Sequence, residues 1–198
     1  MQQLKTICVY CGSSTGKHPV YRYAARQLAE DLVSREIGLV YGGASIGIMG
    51  AIADQVLALG GRVTGVIPQA LSHQEVVHPN LTELHITRTM HERKMLMAEL
   101  ADGFIALPGG IGTLEELFEI WTWAQLGFHN KPIGLLNVAG YYDDLLKFLA
   151  HMHQEQFFKS RHRELLLVEN SSSDLLARFS DYQLPTLPQD GLHKEDLA

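Results

Sequence analysis

The chain has 198 residues, 46% of them hydrophobic, and a formal net charge of −6 at pH 7. This length suits one α/β domain with a full apolar core. The negative charge argues against a general nucleic-acid surface, which depends on clustered Lys and Arg, and no apolar run approaches the ~20 residues that span a bilayer. We therefore expect no nucleic-acid or membrane partner and, without a signal-peptide pattern, a cytoplasmic location.

Strand-like and helix-like segments alternate along the chain, which predicts a mostly parallel sheet covered by helices on both faces. The predicted strands are residues 7–10, 38–41, 62–67, 83–86, 103–107, 133–136 and 165–168. The predicted helices are residues 19–35, 47–59, 90–101, 113–125 and 141–154. We expect a single domain over residues 1–184, followed by a flexible tail over 185–198 that is rich in Pro and Gly and has little capacity to pack.

A Cys-x-x-Cys pair begins in the first predicted strand, with Cys8 inside the strand and Cys11 directly after it. A redox pair belongs at the start of a helix with an exposed thiol, whereas Cys8 lies inside an apolar strand. We therefore expect buried, reduced cysteines. The ten histidines show no metal-ligand spacing, since His91-Glu92 lacks the second histidine of a zinc motif, so no metal is expected. No serine-hydrolase elbow is present either.

Glycine-containing loops follow three predicted strands, at Cys11–Ser14, Gly42–Gly47 and Pro108–Thr113. Because ligands bind at the carboxyl ends of strands in an open parallel sheet, these loops are expected to converge on one site. A dinucleotide is disfavoured, since no GxGxxG follows the first strand and no acidic residue closes the second.

The third loop lies in the run Leu107–Glu116, between an apolar strand and a helix. Its glycines let the backbone approach a ligand closely, and the amides of residues 110–113 at the positive end of the helix dipole favour a phosphate. Thr113 replaces the lysine of an ATPase P-loop. A carboxylate does not hold phosphate, so Glu116 is predicted to act on the rest of the ligand. The alternative is a capping box, with Thr113 as N-cap and Glu116 reaching back to its amide.

Arg93 and Lys94 form a pair of cations on the helix before that loop. One interpretation is that they supply the positive charge that a bound phosphate needs, and the other is that they are a solvated helix face. Glu75, in a polar connection, is by default exposed. Thr122 lies two to three turns beyond Thr113, where packing is the default role.

The segment Met90–Lys94 and the run Pro108–Glu116 together resemble the LONELY GUY (LOG) family, whose signature is an Arg-Lys pair before PGGxGTxxE. The resemblance extends from Ile7 to Phe158 and includes the Tyr-Gly-Gly of the second loop. Ile111 stands where plant members often have tyrosine, and Ala44 where many have a third glycine. Neither difference removes a polar group.

This resemblance implies a Rossmann-like three-layer fold and a phosphoribohydrolase without a cofactor. The reaction would cleave the N-glycosidic bond of a cytokinin riboside 5′-monophosphate, or of AMP, to give free base and ribose 5-phosphate. The implied catalytic residues are Arg93 and Glu116. The implied substrate contacts are Glu75, Arg93, Lys94, Gly110, Ile111, Gly112, Thr113, Leu114, Glu115, Glu116 and Thr122.

Three further expectations concern class and assembly. Members of this family have been labelled lysine decarboxylases, but nothing in the sequence marks a Schiff-base lysine for pyridoxal phosphate. A purine-nucleotide-binding or sensing module without catalysis is the alternative to an enzyme. The family usually forms dimers, so the resemblance implies a homodimer, for which the aromatic-rich helix segment 117–125 with its flanks could supply an apolar contact.

Overall fold

The computed structural model describes residues 4–72 and 77–184. The expectations for Glu75 and for the tail 185–198 therefore lie outside the described residues. The strands are β1 (Thr6–Tyr10), β2 (Gly38–Tyr41), β3 (Val63–Pro68), β4 (Glu83–Thr87), β5 (Gly103–Ala106), β6 (Ile133–Leu136) and β7 (Leu166–Glu169). The helices are α1 (Pro19–Ser34), α2 (Gly47–Ala58), α3 (Gln69–Ser72), α4 (Met90–Leu100), α5 (Ile111–Gln125), α6 (Asp143–Gln154), α7 (Ser160–Arg163) and α8 (Ser172–Ser180).

All seven predicted strands and all five predicted helices are present, with ends that differ by no more than two residues. The prediction missed α3, α7 and α8. Helices α3 and α7 have four residues each, too few to show a helical period. Helix α8 begins only three residues after the end of β7. Ser171 marks the start of α8, because its hydroxyl accepts a hydrogen bond from the Asp174 amide at 3.2 Å.

The strands form one seven-stranded sheet in the order β4-β3-β2-β1-β5-β6-β7. Every neighbouring pair is parallel, so the predicted α/β class is confirmed. The chain leaves β1 toward β4 and then returns to place β5 on the other side of β1. This reversal puts the topological switch point between β1 and β5.

Two apolar layers cover the sheet, which explains why the central strands are hydrophobic at every position. Ile7, Val9 and Cys11 pack with α1, α2 and α8, while Cys8 and Tyr10 pack with α4, α5 and α6. The two cysteines therefore face opposite layers. Both are unpaired and buried, as expected, and burial raises the pKa of each thiol.

Within residues 4–72 and 77–184, no helix is long and apolar enough to cross a membrane.

Candidate functional site

The three glycine-containing loops meet at the carboxyl ends of the strands, as the sequence predicted. The amide of Gly12, after β1, donates to the carbonyl oxygen of Pro108, after β5, at 3.3 Å. The carbonyl oxygen of Gly12 accepts hydrogen bonds from the amides of Ile48 and Met49 in the first turn of α2, at 3.0 and 3.3 Å. The loop after β1 thus joins the other two at the switch point.

Helix α5 begins at Ile111, two residues earlier than predicted, and this overturns the capping-box alternative. Its N-cap is Gly110, in an extended conformation without a side-chain hydrogen bond, so Thr113 lies inside the first turn. Leu114 makes the first intrahelical hydrogen bond, to Gly110 O at 3.2 Å. The amides of residues 111–113 therefore have no acceptor within the helix, and they are available as donors at the positive end of the helix dipole.

Gly109 gives the loop its close approach to this turn. A methyl group there would collide with the Thr113 side chain, which is only 4% exposed, and with the amide of Gly12. The Tyr141 hydroxyl donates to the carbonyl oxygen of Gly109 at 2.6 Å and fixes the loop from the opposite side.

Arg93 and Glu116 form a buried ion pair that bridges α4 and α5. Arg93 Nη1 lies 2.9 Å from Glu116 Oε1, and the two side chains are only 13% and 12% exposed. Arg93 Nε donates to the carbonyl oxygen of Val66 on β3 at 3.0 Å. A methyl group at Gly42 would lie 2.5 Å from Arg93 Nη2, so a larger residue there would displace the guanidinium from its present position. The interpretation of Arg93 as part of a solvated face is therefore wrong.

The carboxyl group of Glu116 has an unusual environment for an acid. Burial raises its pKa above the ordinary glutamate value of 4.5, and the neighbouring Arg93 guanidinium opposes only part of that rise. Such a group exchanges a proton closer to neutral pH than an exposed glutamate does, which suits acid–base chemistry.

Lys94 is also buried rather than solvated, with its side chain 10% exposed. Its Nζ atom lies 2.5 Å from Glu115 Oε1 and 2.9 Å from Glu119 Oε1, both on α5. Burial acts to lower the pKa of Lys94, but the hydrogen bonds to Glu115 and Glu119 raise it above the ordinary value. Lys94 is therefore a permanent cation held by two carboxylates.

The remaining predicted contacts are spread along α5. Ile111 projects outward and is 82% exposed, Gly112 is exposed beside it, and Leu114 is partly buried against the α4–α6 layer. Thr122 lies six residues after Glu116, or ~9 Å along the helix axis. Its exposed hydroxyl donates to Phe118 O at 2.7 Å within the helix, so the structure does not bring it to the Arg93–Glu116 pair.

A cavity of about 240 Å³ opens at the switch point, and the sequence predicted only part of its lining. Its lining includes the loop residues Gly12–Gly16 and Gly109–Gly110. The side chains that sequence reasoning missed are Tyr21 and Tyr141, which meet edge to face with ring centroids 5.5 Å apart. Tyr141 lies in the segment after β6. Its position beyond the carboxyl end of a strand was the signal in the sequence that could have indicated a role in the site. Among the described residues, no group of three or more His, Cys, Asp or Glu is placed to hold a metal ion.

Comparison with protein families finds a match over residues 49–179 to the family described as "Possible lysine decarboxylase". Two curated proteins of Arabidopsis thaliana, the cytokinin riboside 5′-monophosphate phosphoribohydrolases LOG7 and LOG1, are each 48% identical to this chain. The first alignment covers 91% of this chain and 83% of LOG7. The second covers 91% of this chain and 84% of LOG1.

Solved structures with the same fold include the molybdenum cofactor binding protein of Rippkaea orientalis, with a TM-score of 0.68 and 20% identity over 91% of this chain and 98% of that one. The Moco carrier protein of Chlamydomonas reinhardtii has a TM-score of 0.65 and 19% identity, over 89% and 96% of the two chains. At these identities the likeness concerns the fold alone.

The raised pKa of Glu116 predicts how a substitution will change stability with pH. Ionising this carboxyl destabilises the fold, and the effect is absent below about pH 4 and complete once pH exceeds the folded pKa. The melting temperature of Glu116→Gln, relative to the unsubstituted protein, should therefore rise as the pH increases from about 4 through the folded pKa of Glu116. In an Arg93→Met background the rise should be larger, because the opposing cation is gone. If the difference in melting temperature between Glu116→Gln and the unsubstituted protein stayed constant or fell as the pH rises, the raised pKa of Glu116 would be contradicted.

Proposed function

We infer that this chain, which belongs to the LONELY GUY (LOG) family, is a phosphoribohydrolase that releases a free base and ribose 5-phosphate from a cytokinin riboside 5′-monophosphate or AMP. The names of its relatives, at 48% identity over most of the chain, support this activity. The observation that carries the proposal is the buried Arg93–Glu116 pair, in which Glu116 lies three to five residues after the amides that open α5.

The start of α5 is suited to the 5′-phosphate of such a substrate. The amides of Ile111, Gly112 and Thr113 supply donors at the positive end of the dipole. The adjoining cavity at the switch point, whose lining includes Ser13 and Ser14, has room for a phosphate. A phosphate held there leaves the ribose to extend toward the ion pair.

Glu116 is the group we assign to the sugar. Cleavage of an N-glycosidic bond passes through an oxocarbenium-like state, whose positive charge a nearby carboxylate stabilises. The same carboxylate can hold a ribose hydroxyl or accept a proton from the attacking water, and its raised pKa favours the proton transfer. Arg93 fixes the carboxylate through Nη1 and orients the nucleotide by charge-assisted hydrogen bonds.

The description of the matched family raises the question of lysine decarboxylation. A Schiff-base lysine must be deprotonated to attack a cofactor aldehyde. Lys94 is the lysine beside the Arg93–Glu116 pair, and its two carboxylate partners raise its pKa. The chemistry of this group therefore favours the hydrolase over the decarboxylase.

We further propose a cytoplasmic homodimer in which residues 1–184 form one nucleotide-binding domain, with no nucleic-acid or membrane partner. Two free, buried cysteines suit a reducing compartment. Apolar side chains are exposed on α4, on α5 and just after α5, namely Met95 (53%), Phe118 (36%), Leu126 (56%) and Phe128 (74%). A cavity of about 460 Å³ with a mainly apolar lining lies among them, between Met95, Trp123 and Phe128. A second copy would cover this surface.

The first test measures free base released from AMP and from isopentenyladenosine monophosphate, side by side, by chromatography. We expect release from at least one of these, and little from the matching nucleosides, because the amides of α5 then have no phosphate to hold. Adenosine cleaved as well as AMP would contradict the assigned phosphate site. Binding of AMP without base release would favour the alternative of a nucleotide-sensing module.

The second test separates the roles of the ion pair. Glu116→Gln should lower kcat by about 10²- to 10⁴-fold, the usual range for a positioned acid–base group, with nucleotide binding largely kept. Arg93→Ala should also weaken nucleotide binding, by ~1.5–3 kcal/mol for lost charge-assisted hydrogen bonds. Glu155→Gln, on an exposed residue after α6, is the matched control. Near-normal kcat in Glu116→Gln would place the catalytic carboxylate elsewhere.

The third test is sedimentation velocity over a broad concentration range, which should give the mass of a dimer. Phe128→Glu should shift the equilibrium toward monomer, because it places a charge in the apolar surface that a second copy would cover. Tyr23→Glu changes an aromatic residue of similar exposure (64%) on α1, in the opposite helical layer, and should leave the dimer intact. Monomer mass for the unsubstituted protein at all concentrations would refute the dimer.

A further inference from the structure

Two consecutive cationic residues on α4 form ion pairs with three carboxylates on α5, and each cation has its own partners. Arg93 binds Glu116, while Lys94 binds Glu115 and Glu119. Glu115 and Glu119 are four residues apart on one helix face, where two like charges alone destabilise a helix. Lys94 neutralises that repulsion and at the same time ties α5 to α4.

The surroundings of Lys94 do not suit an anion. Its Nζ atom has three N–H groups, and two of them point to carboxylates at 2.5 and 2.9 Å. One positive and two negative charges leave this cluster with a formal net charge of −1. A phosphate that approached Nζ would meet the two carboxylates at the same point and would have to displace one of them.

We propose that Lys94 is a positioning residue that acts through Glu115 and Glu119 to fix the first turns of α5, so that Glu116 faces Arg93 at the correct distance. This inference rests on the proposed function and replaces the expected role of Lys94 as a substrate contact. Glu115 precedes Glu116 directly, so any rotation of α5 that releases Glu115 from Lys94 also moves the catalytic carboxylate. Displacements of ~1 Å can reduce turnover by 10²-fold.

The same cluster sets the electrostatic environment of Glu116. Lys94 lowers and Glu115 raises the pKa of Glu116, in addition to the larger effects of burial and of Arg93. Cys8 and Tyr10 on β1 and Cys11 directly after it interact electrostatically with Glu116, and all three stay neutral because burial raises their pKa values. Substitutions in the Lys94 cluster should therefore move the acid limb of the kcat profile, which a purely structural residue would not do.

The experiment compares Lys94→Met, Lys94→Arg, the double variant Glu115→Gln/Glu119→Gln, and the triple variant that combines it with Lys94→Met. We expect Lys94→Met to lower kcat about 10- to 100-fold with KM changed less than threefold, and to move the acid limb to higher pH. Lys94→Arg should restore most of kcat. The double variant should also lower kcat, but move the acid limb to lower pH, and the triple variant should lose no more kcat than Lys94→Met.

A phosphate contact makes the opposite predictions. KM for the nucleotide would rise in Lys94→Met with kcat little changed, and the double variant would bind nucleotide more tightly because it frees Lys94. Either result would overturn the proposal.

Chemical unfolding tests the cluster without any substrate, and so separates this inference from the proposed function. If Lys94 acts through its two carboxylates, the denaturation midpoint of the triple variant should be no lower than that of Lys94→Met, because the triple variant also removes the repulsion between Glu115 and Glu119 that Lys94 no longer neutralises. Additive losses in the triple variant would refute the coupling, even for a protein that releases no base.

Discussion

The Arg93–Glu116 ion pair is the interaction on which the site depends. Its two side chains come from helices on the same layer, and Arg93 also contacts the carbonyl oxygen of Val66 on β3 and lies beside Gly42, after β2. A buried pair of this kind is costly to break, because removal of one charge leaves the other uncompensated. The packing of α4 against α5 is therefore constrained by chemistry as well as by apolar contact, and the neighbouring Lys94 cluster adds two more bonds to the same interface.

Much of the fold could be predicted from local patterns. Apolar runs separated by amphipathic segments were sufficient to predict the parallel sheet. The glycines after β1, β2 and β5 were sufficient to predict that the three loops converge. The start of α5 was misplaced because Thr113-Leu114-Glu115-Glu116 matches a capping pattern. The backbone conformation of Gly110, which starts the helix earlier, has no signal in that pattern.

The partners of the charged side chains could not be predicted. Arg93 and Lys94 are adjacent in sequence, yet one binds the proposed catalytic carboxylate and the other binds its neighbours. That division depends on the angle at which α4 crosses α5, which no spacing within either helix specifies. Tyr21 and Tyr141 were missed for the same reason, since they come from separate elements and meet only across the switch point.

The cancellation of charge around this site has a kinetic consequence. Enzymes that attract anions with a cleft of unpaired Lys and Arg gather substrate from a distance, and salt weakens that attraction. Here Arg93 and Lys94 are matched by carboxylates, and the whole chain carries a net charge of −6. The amides at the start of α5 act only within the first helical turn. Capture of a nucleotide would thus have no long-range attraction to assist it, and salt, which screens the net negative charge of the chain, would raise rather than lower its rate.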